Sequence, residues 1–141
     1  MAKSTPLKIL IAEDEEAHLF LTEEALNINQ LPHQLYAVTN GEELMDYLYH
    51  RGMYQDQETY PNPDLLLLDI NMPRKNGFEA LKEIREDANL ANIPVVILST
   101  SNRPEDRTKA QALDVGIFIV KPVTFDVWIE AIKAIAVYWQ K

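Results

Sequence analysis

Four stretches of the sequence place polar side chains directly after short apolar runs. An acidic triplet at residues 13–15 follows the first run, Asp69 follows the third, a hydroxyl pair at residues 99–100 follows the fourth, and Lys121 follows the fifth. Clustered carboxylates repel one another unless a cation neutralises them, and Mg²⁺ is a hard ion that takes oxygen ligands. A carboxylate held beside such a cation and an ammonium group can attack phosphorus, because both charges stabilise the transferring phosphoryl oxygens. These residue types therefore indicate phosphoryl transfer, with an aspartyl phosphate as the product.

Five apolar runs supply the strands that must position these side chains, and each run precedes a segment of helical periodicity. The predicted strands cover residues 7–12, 33–38, 64–69, 94–99 and 116–120. The predicted helices cover residues 15–29, a segment after Gly41, residues 77–87, a segment from Pro104, and residues 124–140 with Thr124 as the N-cap. Five β-α units in tandem predict an α/β fold, a parallel sheet with helices on both faces.

Two segments depart from the repeating pattern. The second strand, residues 33–38, is the only polar one, which places it at an edge of the sheet. Residues 50–63 lack clear apolar periodicity and are predicted to form a loop inserted before the third strand. No internal repeat or second domain is indicated.

The polar residues at the strand ends are expected to meet, because ligands bind at the carboxyl ends of the strands in open parallel sheets. Each residue also has a separate structural explanation. Glu13 and Asp14 are favourable at a helix N-terminus, Ser99 and Thr100 suit a turn, and Lys121 suits a solvated surface. Asp69 is harder to explain in this way, and polar residues at four strand ends on one edge favour a shared site over unrelated roles.

Composition narrows the class of function. The 141 residues contain 13 Lys and Arg against 22 Asp and Glu, a net charge of −9, which disfavours nucleic-acid binding and favours protein partners or a bound cation. There is no cysteine, so disulfides, thiolate metal sites and thiol nucleophiles are excluded, and three histidines at 18, 33 and 50 do not suggest zinc. No apolar run approaches the roughly 18 residues of a membrane span, and no signal peptide is recognisable, so we expect a cytoplasmic protein.

The segment "DINMPRKNGFEAL", which begins at Asp69, and the segment "FIVKP", which ends at Pro122, carry a resemblance to a known family. Together with the acid pair and the hydroxyl after the fourth strand, they resemble the receiver domain of two-component response regulators over essentially the whole chain. The resemblance implies a flavodoxin-like (βα)5 fold, doubly wound, with a five-stranded parallel sheet of order 2-1-3-4-5. It also implies one receiver domain over residues 1–141 with no output domain.

The resemblance assigns the residues of the metal and phosphoacceptor site. It makes Asp69 the phosphoacceptor, with Asp14 and Asp69 as side-chain ligands of one Mg²⁺. Glu13 would contribute mainly through water, and Asn71 would contribute its backbone carbonyl. The pair Glu13-Asp14, in place of two aspartates, is a common variant that alters metal affinity. Lys121 would contact the phosphoryl group.

The resemblance also assigns a switch and a partner. Ser99, rather than Thr100, would be the hydroxyl that meets the phosphoryl group, and Phe118 would be the aromatic residue that turns inward with it. The chain would be a phosphoacceptor signalling protein rather than an enzyme, catalysing only its own phosphorylation and slow dephosphorylation. The insertion at 50–63 and the phrase "STSNRPEDR" resemble single-domain regulators of cyanobacterial and bacterial phytochromes, which predicts a phytochrome-type histidine kinase as the partner.

The last predicted helix carries more apolar residues than one sheet-facing stripe requires. One interpretation is a fully packed helix with a few exposed aromatics. The other is a homodimer through helix 4, strand 5 and helix 5. The residues predicted for this dimer face are Val127, Trp128, Ile132, Ile135 and Trp139.

Three other functions use similar elements. A haloacid-dehalogenase-type phosphatase also has a strand-end aspartate and Mg²⁺, but its nucleophile follows the first strand and a second Asp stands two residues on, where this chain has Asn71. A flavin-binding module would need a phosphate loop rich in Ser, Thr and Gly where this chain has residues 13–15, all acidic. A pseudo-receiver that only binds proteins is disfavoured because every essential position is filled.

Overall fold

The elements of the fold come from a computed structural model that describes residues 6–72, 74–100 and 102–140, with side chains described as far as residue 137. The strands are β1 (Leu7–Ala12), β2 (His33–Val38), β3 (Leu65–Asp69), β4 (Val95–Ser99) and β5 (Ile117–Val120). The α-helices are α1 (Glu16–Ile28), α2 (Gly41–Leu48), α3 (Gly77–Glu86), α4 (Pro104–Ala112) and α5 (Phe125–Gln140). A 3₁₀ turn, Gly52–Tyr54, lies between α2 and β3.

The five strands form one parallel sheet in the order β2-β1-β3-β4-β5. The predicted fold class and strand order are therefore confirmed, and β2 lies at the edge as its polarity predicted. The order reverses between β1 and β3, which is where ligands bind in doubly wound sheets. No helix within the described residues is both long and apolar enough to cross a membrane.

Successive residues of the central strands pack on opposite faces of the sheet, which explains why these strands are apolar throughout. On β3, Leu65 and Leu67 face the layer formed by α1 and α5, while Leu66 and Leu68 face the layer formed by α2, α3 and α4. All five residues of β3 are buried, as are all five of β4. Burial on both faces is what a parallel sheet under two helical layers requires.

Polar side chains fix the starts of three helices. Asn76 accepts a hydrogen bond from the backbone N–H of Glu79, and the Glu79 side chain accepts one from the N–H of Asn76, a capping box at the start of α3. Asn40 caps α2 by accepting from the N–H of Glu43. Thr124 Oγ1 accepts from the N–H of Val127 at 3.4 Å, which confirms the predicted N-cap of α5.

The insertion at residues 50–63 is more ordered than the predicted loop. It contains the 3₁₀ turn and places Tyr54 in the core, where its ring contacts those of Tyr47 and Tyr60 at 5.2 and 5.0 Å. The Tyr47 hydroxyl donates to the Pro61 carbonyl at 2.9 Å. This segment packs through aromatic contacts rather than through a periodic apolar face. The absence of apolar periodicity therefore did not predict its packing.

The predicted dimer face on α5 requires a correction. Trp128, Ile132 and Ile135 are spaced at i, i+4 and i+7, form one stripe, and pack into the core beneath the sheet, with at most 2% of each exposed. Their assignment to an exposed dimer face is wrong, because this is the stripe that covers the sheet. Val127 is half exposed, and the side chain of Trp139 lies outside the described part of the chain.

Candidate functional site

The ends of the strands bring the predicted site residues to one rim of the sheet. Asp69 is the last residue of β3 and pairs in register with Leu98, one residue before Ser99 on β4. Ser99 pairs with Val120, one residue before Lys121. The Lys121 N–H donates to the Ser99 carbonyl at 2.6 Å, so the exit of β5 is fixed against the end of β4.

Three carboxylates form a cluster at this rim. Glu13, Asp14 and Asp69 each offer an oxygen atom, and these atoms lie within 4.8 Å of one another. Glu13 and Asp69 are buried, with 2% and 4% exposed, whereas Asp14 is exposed. The cluster is therefore closed on the protein side and open to solvent at Asp14, an arrangement that a cation or an incoming substrate can reach.

The Lys121 ammonium connects the two buried carboxylates. Its Nζ lies 3.1 Å from Asp69 Oδ2, to which it donates a hydrogen bond, and 2.7 Å from Glu13 Oε1, with which it forms an ion pair. Asp69 Oδ1 accepts from the N–H of Asn71 at 3.0 Å. Both oxygens of Asp69 are thus held by donors, which fixes the carboxylate that the sequence assigns as phosphoacceptor.

Glu13 is the member of the cluster whose pKa is shifted by its burial. The pKa of its carboxyl is raised to about 7, chiefly by burial; the Lys121 ammonium lowers it and the nearby charge of Asp69 raises it. Its Oε1 is buried and accepts no hydrogen bond of good geometry, although the ammonium is close. A buried anionic oxygen in this state is one that a cation, or water held by a cation, would stabilise.

The donor set fits Mg²⁺. The cluster offers only carboxylate oxygens, the chain has no cysteine, and the one exposed acid leaves room for the waters that Mg²⁺ retains. Asn71, predicted to contribute its carbonyl, lies immediately beside this cluster, and its side chain donates to Thr100 Oγ1 at 3.2 Å. Its side chain is therefore engaged away from the carboxylates, in agreement with a backbone role.

Gly77 determines how closely α3 approaches the phosphoacceptor strand. A β-carbon at this position would lie 2.5 Å from Ile70 Cα and 2.7 Å from the Asp69 carbonyl oxygen. The Gly77 N–H donates to the Ile70 carbonyl at 3.1 Å. Only glycine allows this contact, which fixes the backbone on which the Asp69 side chain is mounted.

The two predicted switch residues lie beside this site. Ser99 is fully buried at the end of β4, whereas Thr100 is exposed just outside the strand. Phe118 is partly buried on β5, and the Arg107 guanidinium of α4 lies 4.7 Å from its ring centroid. The Phe118 ring thus lies at the junction of β5 and α4.

Sequence reasoning missed His18 as a member of the site. Its Nδ1 lies 2.9 Å from Lys121 Nζ. Its proximity to the rim, but not its contact with Lys121, was predictable, because His18 lies in the first turn of α1 directly after the acidic triplet. Its contact with the ammonium joins residues 103 positions apart and depends on the tertiary structure.

The fold and the site together define a class of protein. The sheet is parallel with strand order 2-1-3-4-5, acids follow β1, a buried aspartate ends β3, and a buried lysine follows β5. The class is the doubly wound α/β proteins with an acidic site at the topological switch point. The sequence profile of the response regulator receiver domain matches residues 9–133. The chain therefore belongs to the response regulator receiver domain family, whose members are phosphoacceptor signalling proteins, and this excludes the phosphatase and flavin-binding alternatives.

Individual relatives agree over nearly the full chain. Response regulator Rcp1 of Synechocystis sp. is 33% identical over 134 residues, covering 95% of this chain and 89% of the relative. The crystal structure of the phosphorylated cyanobacterial phytochrome response regulator RcpA superposes with a TM-score of 0.88 at 37% identity, covering 97% and 96% of the two chains. The Mn²⁺-bound form of Rcp1 superposes with a TM-score of 0.85 at 34% identity, covering 95% and 94%.

Proposed function

We propose that Asp69 accepts a phosphoryl group from the phosphohistidine of a histidine kinase in a Mg²⁺-dependent reaction. An Asp69 carboxylate oxygen forms the new P–O bond as the P–N bond to the kinase imidazole breaks, and the imidazole nitrogen keeps the bonding electron pair and takes up a proton. The observation that carries the proposal is the state of Asp69, which is 4% exposed and held by donors at both oxygens beside an acidic cluster.

Within this proposal, Asp14 and Asp69 hold Mg²⁺ through their side chains, Glu13 through water and Asn71 through its carbonyl. When bound, the cation neutralises negative charge that develops on the phosphoryl oxygens. Lys121 would donate to the same oxygens. Support comes from the spacing of the carboxylates and from the relative Rcp1, whose structure holds Mn²⁺, another divalent ion that prefers oxygen ligands.

We also propose that the partner is a phytochrome-type histidine kinase and that the exchange takes place in the cytoplasm. A receiver domain implies a histidine kinase as its phosphodonor. The phytochrome assignment is supported by similarity to regulators described as phytochrome-associated, RcpA and the bacteriophytochrome response regulator AtBRR, the latter at 34% identity with a TM-score of 0.76 over 96% of both chains.

The proposed output is a conformational change through Ser99 and Phe118. The phosphoryl group on Asp69 attracts the Ser99 hydroxyl from the adjacent end of β4, and the Phe118 ring turns into the space that this movement leaves. Turning the ring breaks its contact with Arg107 of α4, which lies 4.7 Å away. The surface formed by α4, β5 and α5 would change accordingly and favour a homodimer, with Val127 as the exposed apolar residue of α5 within it.

The test uses a small phosphodonor. The protein is incubated with acetyl phosphate and Mg²⁺, and its intact mass is measured. We expect one phosphoryl adduct that is stable in acid and labile in base, absent with EDTA and absent in Asp69→Asn. Asp126→Asn, at an exposed position in the first turn of α5, is the matched control and should be phosphorylated like the wild type. An adduct that persists in Asp69→Asn overturns the proposal.

A further inference from the structure

The Lys121 ammonium is surrounded by three acceptors, and one of them is an imidazole. Nζ donates to Asp69 Oδ2 at 3.1 Å and contacts His18 Nδ1 at 2.9 Å, and it forms an ion pair with Glu13 at 2.7 Å. An ammonium carries three donors and no acceptor. His18 Nδ1 must therefore accept in this contact, which places the imidazole proton on Nε2.

The position of His18 is fixed by neighbours on two sides. Its ring packs at 5.7 Å, centroid to centroid, against Trp128 of α5, which is 2% exposed. Its backbone carbonyl accepts a hydrogen bond from Thr22 Oγ1 at 2.8 Å, and Thr22 is fully buried. The imidazole, carried by α1, thus packs against α5.

Glu15 is the competing neighbour of the same nitrogen. Its Oε2 lies 3.2 Å from His18 Nδ1, but 58% of its side chain is exposed, so water can solvate this carboxylate. The Lys121 side chain is 4% exposed and has no such solvation. The lone pair of Nδ1 is therefore directed at the buried ammonium.

We propose that His18 is a positioning residue for Lys121 in the phosphorylation of Asp69. A lysine head group on four rotatable bonds is flexible, and Glu13 is the nearest charged acceptor. Without a third acceptor the ammonium would shift toward Glu13 and away from the position that the incoming phosphoryl oxygens occupy. His18 Nδ1 opposes that shift. The inference rests on the proposed function, since it concerns the rate at which Asp69 is phosphorylated.

Two variants distinguish the effect of the hydrogen-bond acceptor at His18 from the effect of the size of its ring. His18→Asn keeps an oxygen near the position of Nδ1, whereas His18→Leu keeps apolar bulk and removes the acceptor. We expect the rate constant for phosphorylation by acetyl phosphate to fall about 10-fold in His18→Leu, as loss of one hydrogen bond to a charged group suggests. His18→Asn should recover most of the rate. His33→Leu, at the start of β2 and so at the opposite end of the sheet, should match the wild type.

A second measurement reads the contact without metal or phosphorylation. In ¹⁵N-lysine-labelled protein with EDTA, the Lys121 ammonium should give a resonance protected from solvent exchange in the wild type and in His18→Asn, and the protection should be lost in His18→Leu. Thermal unfolding verifies that each variant is folded. If His18→Leu does not fold, His18→Gln, which moves the acceptor toward the Nε2 position, replaces it with the same expectation.

The outcomes are distinguishable. The inference is overturned if the folded variant that lacks an acceptor at the Nδ1 position is phosphorylated at the wild-type rate. It is also overturned if His18→Asn is phosphorylated as slowly as His18→Leu. If wild-type protein takes up no phosphoryl group, the proposed function fails, while the ammonium resonance still reports whether His18 holds Lys121.

Discussion

Replacing Glu13 by Gln should stabilise the metal-free protein at neutral and alkaline pH. Glu13 is buried beside Asp69, and its pKa in the folded protein is about 7 against an ordinary value of 4.5. Burial is the largest cause of this raised pKa. The Lys121 ammonium and the Glu15 N–H lower it, the charge of Asp69 raises it, and His18 Nδ1 lies 3.9 Å from the carboxylate. At 1.36 kcal/mol for each pH unit, the difference corresponds to about 3 kcal/mol.

The sign follows from proton binding. Between pH 4.5 and about 7 the folded protein binds a proton at Glu13 more tightly than the unfolded chain does. The free energy of unfolding therefore falls as the pH rises through this window and stays lower above it. Gln mimics the protonated carboxyl, so Glu13→Gln should be more stable than the wild type by about 3 kcal/mol at pH 8 and by less than about 1 kcal/mol at pH 5.

The assay is urea denaturation in EDTA at pH 5, 6, 7 and 8. With a typical slope of about 1–3 kcal/mol per molar urea, the midpoints at pH 8 should differ by about 1–3 M. Saturating Mg²⁺ should reduce the difference in stability between the wild type and Glu13→Gln, because a cation stabilises the wild-type carboxylate and binds the folded state. Glu23→Gln, at an exposed position of α1, is the matched control and should follow the wild type. Parallel stabilities for wild type and Glu13→Gln across this pH range would refute the reasoning.

Four further predictions follow from other contacts. Gly77→Ala should destabilise the protein by about 1–3 kcal/mol in urea denaturation, because its β-carbon would lie 2.5 Å from a backbone atom, and an unchanged midpoint would contradict that packing. Arg85→Met should lower the free energy of unfolding by about 2–3 kcal/mol, because the guanidinium donates to four backbone carbonyls, two in the loop before β4 and two at the end of α4, and Arg85→Lys should recover only part of that stability. Lys121→Ala should still accept phosphate, more slowly, but should not propagate the switch, so an unchanged phosphorylation-dependent oligomer in sedimentation would contradict its role. Val127→Glu should reduce dimerisation in the same experiment without changing stability, and a wild-type chain that stays monomeric at high micromolar concentration, with and without phosphorylation, would exclude the dimer.

The fold and the positions of the site residues were predictable because both depend on short patterns. A strand buried on both faces must be apolar throughout, so the run of leucines before Asp69 predicted β3. The polarity of β2 predicted that it lies at an edge of the sheet. The carboxyl ends of parallel strands lie on one rim, so the proximity of Glu13, Asp69 and Lys121 was predictable from the sequence.

Two kinds of feature were not predictable in the same way. One depends on which side of a helix faces inward, and the other on contacts between residues distant in sequence. Outside a narrow polar stripe nearly every position of α5 is apolar, so the sequence could not separate the sheet-facing stripe of Trp128 and Ile132 from the exposed Val127. His18 and Lys121 are 103 residues apart, and only the tertiary structure brings an imidazole to the ammonium. Tyr54 packs through isolated aromatic contacts that have no period.

The central claim is that Asp69 is the residue that accepts the phosphoryl group. Borohydride reduces an aspartyl phosphate to homoserine and releases the phosphoryl group as phosphate, and tandem mass spectrometry of the reduced protein then reads the modified position. We predict homoserine at position 69 alone, dependent on both acetyl phosphate and Mg²⁺. Homoserine at Asp14 or at another acid, with aspartate retained at position 69, would contradict the claim.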